Sequence, residues 1–346
     1  MVRVIGIDPG TVSLDVCGLE GERVWLDQSF GTREVLAAPD TLIRLLKSTG
    51  RVDLIAGPSG YGLPLVGSRL TEPDIRLAYL APEGETGGIG GLRRLAQALA
   101  QSRLPLVFTP GVIHLTTVPA YRKLNRVDLG TADKVAAAAL GIWSQAHRLR
   151  ISAAQASFIL LELGGAFTAL VAVDGGRIVD GIGGTSGPIG WRSSGAWDGE
   201  VAFLAERVDK ELLFKGGAMG ETDGTDLDQD AMEAYVEGAL KAVLALTASV
   251  PRPREILLSG RHASEAAVRS RLEERLNPIA PLVELRGFAT TAKAGAQGAA
   301  LIADGLAGGH SRALVETMRI REAAGSALDH LRVISPDRAR RRLGIA

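Results

Sequence analysis

Two carboxylates stand near the ends of apolar runs, each two residues before a glycine: Asp8 in Ile5-Gly6-Ile7-Asp8-Pro9-Gly10-Thr11 and Glu162 in Leu160-Leu161-Glu162-Leu163-Gly164-Gly165. Glycine turns let main-chain N–H groups close around phosphate oxygens, and a carboxylate at a strand end can hold magnesium directly or through water. Asp8 and Glu162 are therefore the candidate metal carboxylates of a nucleotide site. Gly10, Thr11 and Ser13 on one turn, and Gly164, Gly165 and Thr168 on the other, are the candidate phosphate contacts. Either turn alone is equally well a plain hairpin capped by its carboxylate; the pairing favours a shared role. In Glu255-Ile256-Leu257-Leu258-Ser259-Gly260-Arg261, an apolar strand runs straight into a small-residue turn. Ser259 and Gly260 could lie flat against an adenine or ribose.

These residues need elements to position them. Val2 to Asp8 reads as a strand, with a return through Leu14, Val16 and Gly18. Phe158 to Leu163 and Thr168 to Val173 repeat the pattern, followed by an Asp174-Gly175-Gly176 hairpin. The halves rhyme as one duplication of a strand, acidic turn, strand unit. Between them, Leu92–Leu99 has helical spacing, Leu106–Phe108 is a short strand, and Thr131 caps a helix whose apolar side carries Val135, Ala139, Leu140, Ile142 and Trp143. Downstream, helices are expected near Glu200–Leu213, Asp228–Thr247, Ala263–Arg275, Thr290–Ala307 and Arg312–Leu331, with a strand at Glu255–Leu258 and a solvated basic tail at Arg338–Arg342. Alternating strands and helices predict an α/β fold.

Phosphoryl transfer depends on positioning and charge neutralisation, so cations near a γ-phosphate matter most. Arg122, Lys123, Arg126, Lys134 and Arg192 are the candidates, weighed against a solvated charged face. Asp133 could be a general base, a magnesium ligand, or a first-turn carboxylate stabilising a helix N-terminus. A carboxylic acid acceptor is ionised at neutral pH and needs no base, whereas an alcohol does. The basic cluster leans toward an acid. His114 has apolar neighbours and reads as a packed histidine before a catalytic one. Gly87-Gly88-Ile89-Gly90-Gly91 is either an anion-binding turn or a loop, and Gly183 to Pro188 could form a substrate-facing wall.

Composition narrows the classes. At roughly 150 residues per domain, 346 residues make about two domains. Thirty-nine basic residues balance thirty-nine acidic ones, which disfavours nucleic acid and anionic membrane partners. The lone Cys17 excludes an intramolecular disulfide and fits a reducing compartment, so a cytoplasmic location is expected. Val2–Ile7 is too short and too soon interrupted for a signal or anchor, and Ser157–Val173 carries Glu162, Gly164 and Gly165, which favour two strands over a bilayer helix.

The order Ile7-Asp8-Pro9-Gly10-Thr11, Gly130-Thr131-Ala132-Asp133-Lys134, Leu161-Glu162-Leu163-Gly164-Gly165, Leu258-Ser259-Gly260 and an Ala/Gly helix at Ala292–Gly305 resembles the phosphate-1, connect-1, phosphate-2, adenosine and connect-2 motifs of the acetate and sugar kinase, heat-shock chaperone and actin superfamily. More narrowly, Pro110–Leu115, Asp128–Lys134, Gly183–Gly187 and Trp197–Val201 resemble a mainly archaeal family usually called predicted butyrate kinase. The resemblance implies two ribonuclease-H-like domains around a central cleft for ATP and Mg²⁺. Residues 1–150 would form the first, 151–308 the second, and 309–346 a helix and tail returning to the first. It implies a kinase for a small molecule, most simply a short-chain carboxylic acid, with Asp8, Asp133, Lys134, Arg122 and Arg192 around the chemistry. It is compatible with a homodimer. Two positions depart from the pattern: Glu162 replaces the commoner aspartate, and Ser259-Gly260 replaces a glycine pair. Two other readings compete. One is a nucleotide-switched binding protein; the other is a ribonuclease-H-like nuclease, because Ile5–Gly10 also resembles the opening of Holliday-junction resolvases.

Overall fold

The computed structural model describes residues 1–57, 59–67, 69–85, 91–219 and 229–345, so most of the Gly87–Gly91 turn lies outside it. The first half of the chain supplies β1 (Arg3–Pro9), β2 (Ser13–Glu20), β3 (Arg23–Gly31), β4 (Leu54–Gly57), β5 (Val66–Gly67) and β6 (Leu106–Phe108). Its helices are α1 (Thr32–Ala37), α2 (Pro39–Ser48), α3 (Glu72–Tyr79), α4 (Leu92–Gln101), α5 (Ala120–Lys123) and α6 (Ala132–Leu149). The second half supplies β7 (Phe158–Leu163), β8 (Thr168–Asp174), β9 (Arg177–Ile182), β10 (Glu255–Ser259) and β11 (Leu282–Glu284). Its helices are α7 (Gly199–Leu204), α8 (Gln229–Thr247), α9 (Ala266–Leu276), α10 (Ala294–Leu306), α11 (Arg312–Met318) and α12 (Pro336–Leu343).

The strands form two mixed sheets, ordered β3-β2-β1-β4-β6-β5 and β11-β10-β7-β8-β9. In each, an antiparallel run of three strands joins two parallel strands through β1 or β7, and the first sheet adds β5 antiparallel to β6 at its edge. The expected duplication is therefore a repeat of topology, and the fold is α/β with two lobes. Outer faces are covered by α2 and α4 on Ile5, Ile7, Leu14 and Val16, and by α8 and α9 on Ile159, Leu161 and Leu170.

Between the sheets lie α6 and α10, both rich in small residues. A Cβ on Gly298 of α10 would stand 1.7 Å from the Ala136 carbonyl of α6, and one on Gly6 of β1 would stand 2.2 Å from the Ala296 carbonyl of α10. Such backbone approach needs glycine and alanine, because longer side chains would force the layers apart. Gly141 of α6 likewise admits the Phe158 ring of β7. α10 thus packs on β1 of the first sheet and on α6 together.

Three expected elements come out differently. The helix expected over Glu200–Leu213 stops at Leu204, and Glu206 takes a positive φ of 54°. The helix expected over Arg312–Leu331 stops at Met318, where Arg319 turns left-handed at φ 57°. The basic tail is α12: Ser335 accepts from the Arg338 N–H, Ala339 and Leu343 bury against Leu328, and Arg76 of α3 bonds the Leu343 and Gly344 carbonyls at 3.2 and 2.8 Å. The arginine run masked the apolar spacing of four between Ala339 and Leu343. Among the described residues no helix is long and apolar enough to cross a membrane.

Candidate active site

The two acidic hairpins share one backbone plan. The Gly10 N–H donates to the Ser13 carbonyl at 2.9 Å, and the Gly164 N–H donates to the Phe167 carbonyl at 2.9 Å. Both tips project into one cleft of about 930 Å³. They nearly meet, since a Cβ on Gly165 would stand 3.1 Å from the Thr11 hydroxyl. Asp8, Gly10, Thr11 and Ser13 line the cleft from the first lobe, and Glu162, Gly164, Gly165, Ser259 and Gly260 line it from the second. Gly260 has φ 100°, and a Cβ there would stand 2.3 Å from the Leu163 carbonyl, so the turn after β10 packs tightly against the end of β7.

Charge concentrates where the lobes meet at the start of α6. Lys134 Nζ bonds Asp133 at 2.6 Å and also Glu162. The Thr131 hydroxyl donates to the other Asp133 oxygen rather than capping the helix. Burial alone would lower the lysine's pKa, but the two carboxylates raise it well above its ordinary value, so Lys134 is a permanent cation. Burial likewise pushes the Asp133 carboxyl upward, yet Lys134 and Thr131 outweigh it and hold it below the ordinary value. Asp8 goes the other way. Burial, with the Asp133 charge beside it, pushes its carboxyl up to about 7.

Sequence reasoning missed a second cation. Lys293, the residue before α10, lies 3.3 Å from buried Asp15, and a Cβ on Gly10 would stand 3.0 Å from its Nζ. Asp15 also accepts from the Ser13 hydroxyl at 2.8 Å. Asp27 on β3 fixes this end of α10 by accepting from the N–H groups of Thr290, Thr291 and Ala292 at 2.9, 2.9 and 2.6 Å. A lysine at the head of an Ala/Gly helix was the available signal, since helix N-termini attract anions.

Three predicted site residues do not reach the cleft. Thr168 is fully buried on the opposite face of β8 from Ala169, which lines the cleft; strand alternation sends it into the outer core. Arg122 donates to the Val179 carbonyl at 2.7 Å and pairs with Asp180 at 3.5 Å, tying α5 to β9. Arg192 is exposed, and its backbone N–H bonds the Ala166 carbonyl. His114 is buried and pushed down to about 4 by desolvation, the neutral packed histidine expected. The Gly183–Ser186 turn is anchored by Asp128, which accepts from the Thr185 N–H and hydroxyl, both at 3.0 Å.

Glu162 is neutralised by Lys134, so Asp8 is the carboxylate whose ionisation a cation would most relieve. Among the described residues no three acidic, histidine or cysteine side chains form a metal cage.

A family model described as "Protein of unknown function (DUF1464)" matches residues 6–333, and the chain belongs to that family. The chain is 31% identical over 198 residues to "Probable butyrate kinase" of Deinococcus radiodurans, a match covering 50% of each protein. The chain thus spans about half the length of that curated relative. The fold is similar to acetate kinase from Entamoeba histolytica, with TM-score 0.57 and 12% identity over 80% of this chain and 86% of that one. It is also similar to a propionate kinase from Francisella tularensis, with TM-score 0.57 and 12% identity over 86% and 99%.

Proposed function

We propose that this family member is an ATP-dependent phosphotransferase acting on a small molecule, and that the acceptor is a short-chain carboxylic acid that becomes an acyl phosphate. The observation that carries this reading is the near contact of two glycine hairpins from opposite lobes, each with its carboxylate, in one cleft. The butyrate kinase relative and the acetate and propionate kinase folds support it.

In this reading the N–H groups at the hairpin tips, Thr11–Val12 and Gly165–Ala166, bind the phosphates, since those of Gly10 and Gly164 close the hairpins, while the Ser259–Gly260 turn faces the nucleoside. Asp8 would hold Mg²⁺, which supplies charge neutralisation at the phosphates. Lys134 and Lys293 flank the transferred phosphoryl group from the two ends of the Asp8 turn. One acceptor oxygen attacks the γ-phosphorus, the bond to the bridging oxygen breaks, and ADP leaves with that electron pair. Asp133 is ionised but committed to Lys134 and Thr131, which makes it a poor base for an alcohol and suits an acceptor that arrives ionised.

Calorimetry with ATP and ADP plus magnesium, followed by a coupled ADP-release screen over C2 to C6 acids, alcohols and sugars, tests the proposal. Magnesium-dependent binding with acid-dependent ADP release is expected. Tight ATP binding without turnover on any acceptor would reject the kinase reading in favour of a nucleotide switch.

A further inference from the structure

One end of the cleft is unlike the phosphate end. Lys210 lines it with its Nζ 5.0 Å from the centre of the Tyr61 ring. Phe167 and Phe214 line the same cleft, packed edge to face at 4.9 Å between ring centres, and Leu213, next to Phe214, lines it too. The chamber adjoins the reacting end of the site: the Gly60 carbonyl, next to Tyr61, accepts from the Ala132 N–H at the start of α6, one residue before Asp133. Phe167 closes the Glu162 hairpin itself.

We infer that this chamber is the acceptor subsite, with Lys210 binding the carboxylate of an apolar monoacid and the Phe167–Phe214 pair and Leu213 holding its alkyl chain. The inference rests on the phosphotransferase reading for its place in a reaction, but not for its binding test. The acidic groups facing Lys210 are Glu85 and Asp128. Asp128 is already held by Gly130 and Thr185. Burial outweighs both charges and lowers the lysine's pKa, so an incoming carboxylate would relieve a poorly solvated ammonium. Two ligand features follow. A single negative charge is matched by a single lysine, and an aromatic wall favours longer chains, at about fourfold in affinity per added methylene. Lys210 is thereby a specificity residue, distinct from Lys134 and Lys293 at the phosphates.

The test is ligand-observed NMR titration of the full-length chain, without nucleotide, against acetate, propionate, butyrate and valerate and their neutral amides. Affinity should climb about fourfold per carbon, and acids should exceed their amides about tenfold or more. Lys210→Met should erase the preference for acid over amide while leaving the melting transition intact, Lys210→Arg should restore it, and Phe214→Ala should flatten the chain-length series. Failure of the native chain to bind any acid overturns the inference, as does an unchanged acid preference in Lys210→Met. ADP release is scored separately. Lys210-dependent acid binding without ADP release keeps the subsite and rejects the kinase reading; ADP release with a non-acid acceptor and no acid binding does the reverse.

Discussion

The two acidic hairpins are built alike and equipped differently. Each places its glycine two residues after the carboxylate and closes with a 2.9 Å N–H to carbonyl bond. Beyond that bond the side chains diverge. The first continues with Thr11, Ser13 and Asp15, and draws Lys293 toward its turn. The second continues with Gly165, Ala166, Phe167 and Ala169, all lining the cleft. Their carboxylates differ too: Glu162 is compensated by Lys134, while Asp8 is buried beside Asp133 and pushed up to about 7. A common backbone frame thus carries charged and hydroxyl side chains in one lobe and apolar ones in the other, because the hairpin's closing bond uses no side chain.

This asymmetry can be broken experimentally. Asp8→Asn is expected to reduce magnesium-dependent turnover about a thousandfold, against roughly tenfold for Glu162→Gln, both read as kcat/KM in the ADP-release assay. Equal losses would mean the hairpins act as equals. Gly260→Ala should destabilise the protein by about 1–3 kcal/mol in denaturant unfolding, because its φ of 100° and its contact with the Leu163 carbonyl exclude a Cβ. Gly57→Ala, at the end of β4 in the other lobe, meets only ordinary contacts from 3.5 Å outward and should cost far less.

The pH dependence tests the Asp8 hairpin by itself. With its folded pKa raised from 3.8 to about 7, Asp8 keeps a proton across that interval that the unfolded chain has released. The metal-free protein should therefore lose stability as pH rises from about 4 through 7, and Asp8→Asn should remove that loss. Because magnesium binds the ionised form, nucleotide affinity in the presence of magnesium should rise up to about tenfold per unit as pH climbs toward 7, then level off. A flat calorimetric profile would place the metal elsewhere. The smallest effect belongs to Arg192→Ala, which should leave kcat/KM within about twofold, since the side chain is exposed and off the cleft.

Hairpins, alternation and the α/β class were legible because they depend on neighbours in the chain: an apolar run, a glycine turn and a returning run suffice to predict β1–β2 and β7–β8. The pairing of Asp8 with Glu162 was legible for the same reason, as a repeated local pattern. Thr168 was misplaced although the rule that excludes it is also local: it alternates with Ala169 and faces away. Arg122 and Arg192 looked like phosphate cations only because charge in sequence carries no direction. Arg122 is spent on β9, which lies more than fifty residues downstream.

Local composition along the chain sufficed for the two hairpins, the small-residue helices α6 and α10 and the glycine at 260, because each answers a short-range demand of turn geometry or close packing. Folding alone decided that α10 crosses back onto β1 and brings Lys293 to the Gly10 turn, that Lys134 bonds Glu162 and Asp133 and offsets the burial of Asp8 only in part, and that Lys210, where helix had been expected, and Phe214 line the cleft. Those outcomes depend on which segments far apart in the chain become neighbours, and burial and Coulomb energy act only once that proximity exists.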